Sequence, residues 1–141
     1  MIKNYTSGNM GAIMEVDKQK VSSYGIVKVD KSDKNLMQIN QMVEKPSVEN
    51  APSNLAIIGR YILDHKVFEV LEKQERGTSH EIQLTDAISF QLDSVPCLGY
   101  KIKNERFDCG SKLGFLQANI SLALNRKDLN SDLNNWLKTI I

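Results

Sequence analysis

Gln41–Leu63 reads QMVEKPSVENAPSNLAIIGRYIL. An apolar run ends at Glu44-Lys45-Pro46, a polar loop follows, and a second apolar run begins at Asn54. Proline cannot donate to a β-ladder, so Pro46 ends the first strand. Adjacent side chains of a strand point to opposite faces. Glu44 and Lys45 therefore look into one pocket only if the strand twists or ends there, and Pro46 supplies such an end. Lys45 could then reach a phosphate as a point charge, and Glu44 could accept hydrogen bonds from ligand hydroxyls. The alternative is a solvated charge pair flanking a turn. The second run, 54–63, is nearly continuous and apolar, which suits a strand buried on both faces.

Outward from this stretch, GAIMEV (11–16) and YGIVKV (24–29) read as strands, with a helical turn in DKQKVSSY between them. DKSDKN (30–35) reads as a polar turn, and LMQINQMVE (36–44) as the strand that Pro46 ends. Beyond residue 63 the period changes. Asp64 is placed to cap a helix through about Glu75, with Val67, Val70 and Leu71 on one face. RGTS (76–79) ends that helix, and a second starts near Thr85. VPCLGYKI (95–102) is a further strand. After the loop NERFDCG, Ser111 caps a long helix with Leu113, Leu116, Ile120, Ala123 and Leu124 on one face. A last helix from about Ser131 carries Leu133, Trp136, Leu137 and Ile140. The order predicts a mixed sheet covered by helices. No strand is followed by a Gly-rich turn of the form G-x-G-x-x-G or G-x-x-x-x-G-K and then a helix.

The chain has 141 residues, 41% hydrophobic and 25% charged, which gives a single domain with a real core. A formal net charge of +1 offers no electrostatic case for nucleic acid or an acidic membrane. No apolar stretch approaches the ~20 residues of a membrane span, and the first ten residues lack the apolar core of a secretory signal. Cys97 and Cys109 show no CxxC spacing, so a reducing cytoplasm is the expected setting.

Two further positions, Asp108 and Gly25, could carry chemistry. Asp108, in RFDCG (106–110), lies between a strand and a helix, where a carboxylate can hold a hard cation or make an Asx-type turn. Gly25 could allow close approach of backbone to a ligand, or break a strand edge. Asp86 falls in a first helical turn and reads as structural. Cys109 has no histidine near it in sequence and reads as a small buried thiol. His65 and His80 have no companions at catalytic or metal-ligand spacing.

YGIV, VEKP, SNLAIIGRYIL, EIQLTDAI and FDCGSKLGFLQANI, in this order, resemble the bacterial UTP–glucose-1-phosphate uridylyltransferases (UDP-glucose pyrophosphorylases) from near residue 1 to about residue 125. Related thymidylyltransferases typically carry aspartate-threonine-glycine where this chain has Asp108-Cys109-Gly110. The resemblance implies the C-terminal half of a nucleotide-diphospho-sugar transferase, Rossmann-like fold, with a core at 11–110 and helices at 111–141 in one domain 1–141. It implies that Lys45 contacts the sugar-linked phosphate, Glu44 the glucose hydroxyls, and the backbone at Gly25 and Ile57 the sugar. Lys45 and Asp108 would be the catalytic pair, with Asp108 one of two aspartates holding Mg²⁺. The ligands implied are glucose 1-phosphate and UDP-glucose.

The family's G-x-G-T-R loop, its uracil pocket and its second metal aspartate are not in this sequence. The isolated chain is therefore expected to lack activity, with a separate chain as a possible source of the other half. The alternative is a non-catalytic remnant or interaction module. Open sheet edges and uncovered apolar surface would make it self-associate.

Overall fold

A computed structural model describes residues 1–74, 81–103 and 105–140. Five strands are present: β1 (Asn9–Glu15), β2 (Gly25–Asp33), β3 (Leu36–Glu44), β4 (Leu55–Ile62) and β5 (Cys97–Lys101). The helices are α1 (Val67–Lys73), α2 (Leu84–Gln91), α3 (Lys112–Leu124) and α4 (Asn130–Ile140). Short 3-10 turns cover Ile2–Asn4 and Lys18–Ser23. The chain divides into two compact units, Met1–Lys103 and Asn104–Ile141. The loop 105–110 thus goes with the last two helices rather than with the strands.

In the first unit the strand order β1-β4-β2-β3-β5 closes on itself. β1 runs parallel to β5, and every other neighbouring pair is antiparallel. The sheet is mixed, as the order of elements predicts. The expectation of open edges needs correction, because each strand has a neighbour on both sides. Two of the seams are short: β2 meets β4 only at Ile26–Ala56 and Val27–Leu55, and β3 meets β5 through Leu36–Gln38.

Strand alternation divides the interior. Val27, Leu55 and Ile57 face a main core with Ile13, Ile39, Met42 and Cys97, and α1 and α2 close it with Val67, Ala87 and Ile88. Ile26 and Ala56, one step away in sequence, face the other side with Val21. Val70 and Leu71 pack against the main core beside Val67, on the helix face the sequence indicates.

Four local expectations are revised. β4 is not buried on both faces throughout: Leu55, Ala56 and Ile57 are buried, but Gly59 and Arg60 are exposed. The cause is a bulge. Gly11 pairs with Tyr61 and Ile13 with Ile57, so Ile58, Gly59 and Arg60 all stand opposite Ala12, with Gly59 at φ +69°. The polar stretch 30–35 is not all turn. β2 runs on to Asp33, which pairs with Leu36, leaving Lys34 and Asn35 as a two-residue hairpin loop. Lys34 takes a left-handed φ of +54° there, as tight hairpin turns require. Asp64 holds the turn ahead of α1, accepting the Lys66 N–H at 3.0 Å, and does not cap the helix itself. Finally, α1 ends at Lys73; Glu75, RGTS and His80 lie outside the described residues.

In the second unit Ser111 caps α3 as expected, its hydroxyl accepting the Gly114 N–H at 3.0 Å. Of the apolar residues on α3 only Ala118 is buried, whereas Leu113, Phe115, Leu116 and Leu122 are exposed.

Candidate sugar-phosphate site

The end of β3 lies beside the start of β2, with Glu44 paired to Gly25. One more backbone bond, Lys45 N–H to the Tyr24 carbonyl at 3.0 Å, closes the ladder before the buried ring of Pro46. Lys45 does not continue the strand. Its φ is +45°, a left-handed conformation adopted by only a few per cent of non-glycine residues. The following proline disfavours the right-handed helical alternative at this position. The turn cancels strand alternation. The Lys45 ammonium comes to 3.9 Å from Glu44 Oε1, with the lysine side chain largely exposed and the carboxylate mostly sheltered. An exposed pair at this distance contributes little stability. Its consequence is placement: a cation and an anion side by side on one surface.

Glu44 is held from the other side. Thr85, in the first turn of α2, is buried and its hydroxyl donates to Glu44 Oε2 at 2.7 Å. Gly25 makes room for this contact. A Cβ there would stand 3.0 Å from Glu44 Oε2 and 3.1 Å from Thr85 Oγ1. The phenol of Tyr61, on β4, is pushed up to about 12 by burial first and then by the Glu44 charge. A hydroxyl has one proton to give. Thr85 gives its own to Glu44.

Ile57 lies one step beyond the Ile26–Ala56 pair, level with Gly25 in register. Its side chain belongs to the main core, so only its backbone is available at that level. The loop between β3 and β4 is tied down at Ser53, whose hydroxyl donates to the Val27 carbonyl at 2.6 Å and accepts the Leu55 N–H at 2.9 Å.

Gly25, Glu44, Lys45 and the Ile57 backbone thus belong to neighbouring strands of the first unit. Asp108 belongs to the second. There its Oδ1 accepts the Gly110 N–H at 3.2 Å, and its carbonyl accepts the Ser111 hydroxyl at 3.0 Å. This is the Asx turn and helix entry weighed for it from sequence. A carboxylate offers about four lone-pair sites, so capacity for a cation remains. Among the described residues no group of three or more His, Cys, Asp or Glu side chains is gathered to hold a metal. Cys109 is exposed, not the buried thiol expected; Cys97 is the buried one. Asp86 sits in the first turn of α2 as read.

Sequence reasoning missed Thr85. The contact from Thr85 to Glu44 spans 41 positions, so no local pattern announces it. One signal was present: Thr85 is a polar residue three positions before Ile88, on the stripe of α2 that faces the core.

A mixed sheet backed by helices, with a charge pair turned out at a proline-stopped strand, defines the class. A family profile described as "Nucleotidyl transferase" matches residues 1–124, and the chain belongs to that family. Within it, the chain is 39% identical over 140 residues to the UTP--glucose-1-phosphate uridylyltransferase of Komagataeibacter xylinus, covering 99% of this chain and 47% of that protein. It is 40% identical over 136 residues to UTP--glucose-1-phosphate uridylyltransferase 1 of Staphylococcus saprophyticus, covering 96% and 47%. Among solved structures, a UDP-glucose pyrophosphorylase complexed with UDP-glucose matches with TM-score 0.77 and 40% identity, covering 84% of this chain and 45% of that one. The chain spans about half the length of the relatives it matches.

Proposed function

We propose that this chain forms the sugar-phosphate side of a UTP–glucose-1-phosphate uridylyltransferase. In that reaction a phosphate oxygen of glucose 1-phosphate attacks the α-phosphorus of UTP, giving UDP-glucose and pyrophosphate. Phosphoryl-type transfer depends on positioning and charge neutralisation. The observation that carries the reading is the left-handed turn at Lys45, which sets its ammonium beside the Glu44 carboxylate. A sugar phosphate presents hydroxyls and a dianion in the same juxtaposition.

In this reading Lys45 takes the phosphate as a point charge and Glu44 accepts from the glucose hydroxyls. The backbone at Gly25 and Ile57 borders the ring. Asp108 would hold Mg²⁺, which usually takes one or two protein carboxylates and fills its shell with water and phosphate oxygens. When bound, that ion supplies charge neutralisation at the phosphates. A cytoplasmic setting fits the two free cysteines.

The 141 residues contain no phosphate-cradling Gly-rich loop. The chain alone therefore binds sugar phosphate but turns over no UTP, and activity requires a nucleotide-binding part on another stretch of polypeptide. Calorimetric titration with UDP-glucose tests this. Lys45→Ala is expected to lose about 1.5–3 kcal/mol of binding free energy, the range for a hydrogen bond to a charged group. Equal affinity of variant and wild type refutes the role of Lys45, and turnover of UTP by the pure chain refutes the inactivity. A second reading, a self-associating module without catalysis, draws on the exposed Leu113, Phe115, Leu116 and Trp136. Such a module would show no sugar-phosphate binding and would be larger than a monomer by light scattering.

A further inference from the structure

We propose that Thr85 is a positioning residue for the sugar site, its buried hydroxyl fixing which oxygen of Glu44 is offered to the ligand. The inference rests on the sugar-phosphate reading above and adds a residue to it.

A free glutamate side chain rotates about three torsions, and either carboxylate oxygen can take either role. Here the two oxygens are distinguished. Oε2 receives the Thr85 hydroxyl at 2.7 Å, in the space that the absence of a side chain at Gly25 leaves open. Oε1 is the oxygen on the Lys45 side, 3.9 Å from the ammonium. A sugar hydroxyl that donates to Oε1 therefore finds it oriented beside the phosphate-binding charge. The Thr85–Glu44 bond joins the first turn of α2 to the end of β3. Thr85 itself is 5% exposed and does not touch the ligand. Its effect passes through Glu44. Fixing a carboxylate before the ligand arrives lowers the ordering cost of binding.

This arrangement predicts selectivity. Loss of the Thr85 hydroxyl should weaken binding of a sugar phosphate and leave a bare phosphate, held by Lys45 alone, unaffected. The experiment titrates the full 141-residue chain with glucose 1-phosphate and, separately, with inorganic phosphate, following amide NMR shifts. Thr85→Val and Thr85→Ala are each expected to weaken glucose 1-phosphate about tenfold, as for loss of a charged hydrogen bond, and Thr85→Ser to stay within about twofold of wild type. Inorganic phosphate should bind all four proteins alike. Without ligand, the Glu44 carboxyl carbon resonance should move in the valine and alanine variants and return in the serine variant.

Wild-type affinity for glucose 1-phosphate in the valine and alanine variants overturns the proposal and leaves the sugar-site reading standing. Equal weakening of both probes also overturns it, showing Thr85 to be merely structural. A wild-type chain that does not bind glucose 1-phosphate overturns the sugar-site reading, and the proposal with it. The carboxyl resonance then still reports whether Thr85 holds Glu44. The alanine and serine variants keep the test decisive should valine prevent folding.

Discussion

Lys45 pays for its position in backbone strain. A left-handed conformation costs an L-residue about 1–2 kcal/mol, because Cβ crowds the following carbonyl oxygen. Lys34 shares this conformation, but at a hairpin turn, where the chain must reverse. At Lys45 the chain is leaving the strand, and in the proposed reading the left-handed turn serves the side chain. Strain and ligand contact separate experimentally. Lys45→Gly removes both ammonium and strain, whereas Lys45→Ala removes only the ammonium. The glycine variant should be more stable than the alanine variant by up to about 1 kcal/mol in denaturant unfolding, with both equally weak toward sugar phosphate. An alanine variant as stable as the glycine variant would mean that the turn is unstrained. The sequence showed where the strand stops, because Pro46 has no N–H to give. It did not show how Lys45 turns, because that depends on the Tyr24 carbonyl, just ahead of β2 and far back in the chain, taking the Lys45 N–H. Thr85 was illegible for the same reason, since its partner is set by tertiary folding.

At the scale of elements, the layer between sheet and helices holds two weak acids, one buried and one partly buried. Cys97 on β5 lies in the main core, where burial pushes its thiol up from 9.0 to about 12. Tyr61 on β4 is pushed up from 10.0 to about 12. Both groups bind their protons more tightly folded than unfolded, so the unfolded chain ionises first as pH rises. The stability they contribute is complete below 9.0 for Cys97 and below 10.0 for Tyr61, and is lost as pH climbs toward about 12. Denaturant midpoints measured across this window should fall from about pH 9 in the wild type and only from about pH 10 in Cys97→Ala. Parallel curves for the two proteins would contradict the burial assigned to Cys97. The same layer shows what periodicity can reveal. The face of α1 was readable because Val67, Val70 and Leu71 repeat at helical spacing. The exposed half of β4 was not, because Ile58–Ile62 stays mostly apolar while the bulge opposite Ala12 turns part of it outward. β2 was read too short because Asp30–Asp33 is polar, yet a two-residue hairpin carries it as strand.

For the molecule as a whole, the order of strands then helices was legible from composition and period, and the family from five short motifs in sequence. The closure of the sheet was not, since it rests on two short seams between strands far apart in the chain. Among the described residues no helix is long and apolar enough to cross a membrane. The first unit contains the Glu44–Lys45 end of β3 with its threonine and tyrosine; the second contains Asp108 at the entry to α3. The proposed function therefore turns on whether the first unit recognises a sugar phosphate at the end of β3. The most direct measurement is a residue-resolved NMR titration of the wild-type chain with glucose 1-phosphate. Saturable shifts are expected at Gly25, Glu44, Lys45 and Ile57, with the rest of the sheet little changed. Saturable shifts elsewhere with these four unmoved, or no shifts at all, would contradict the proposed function.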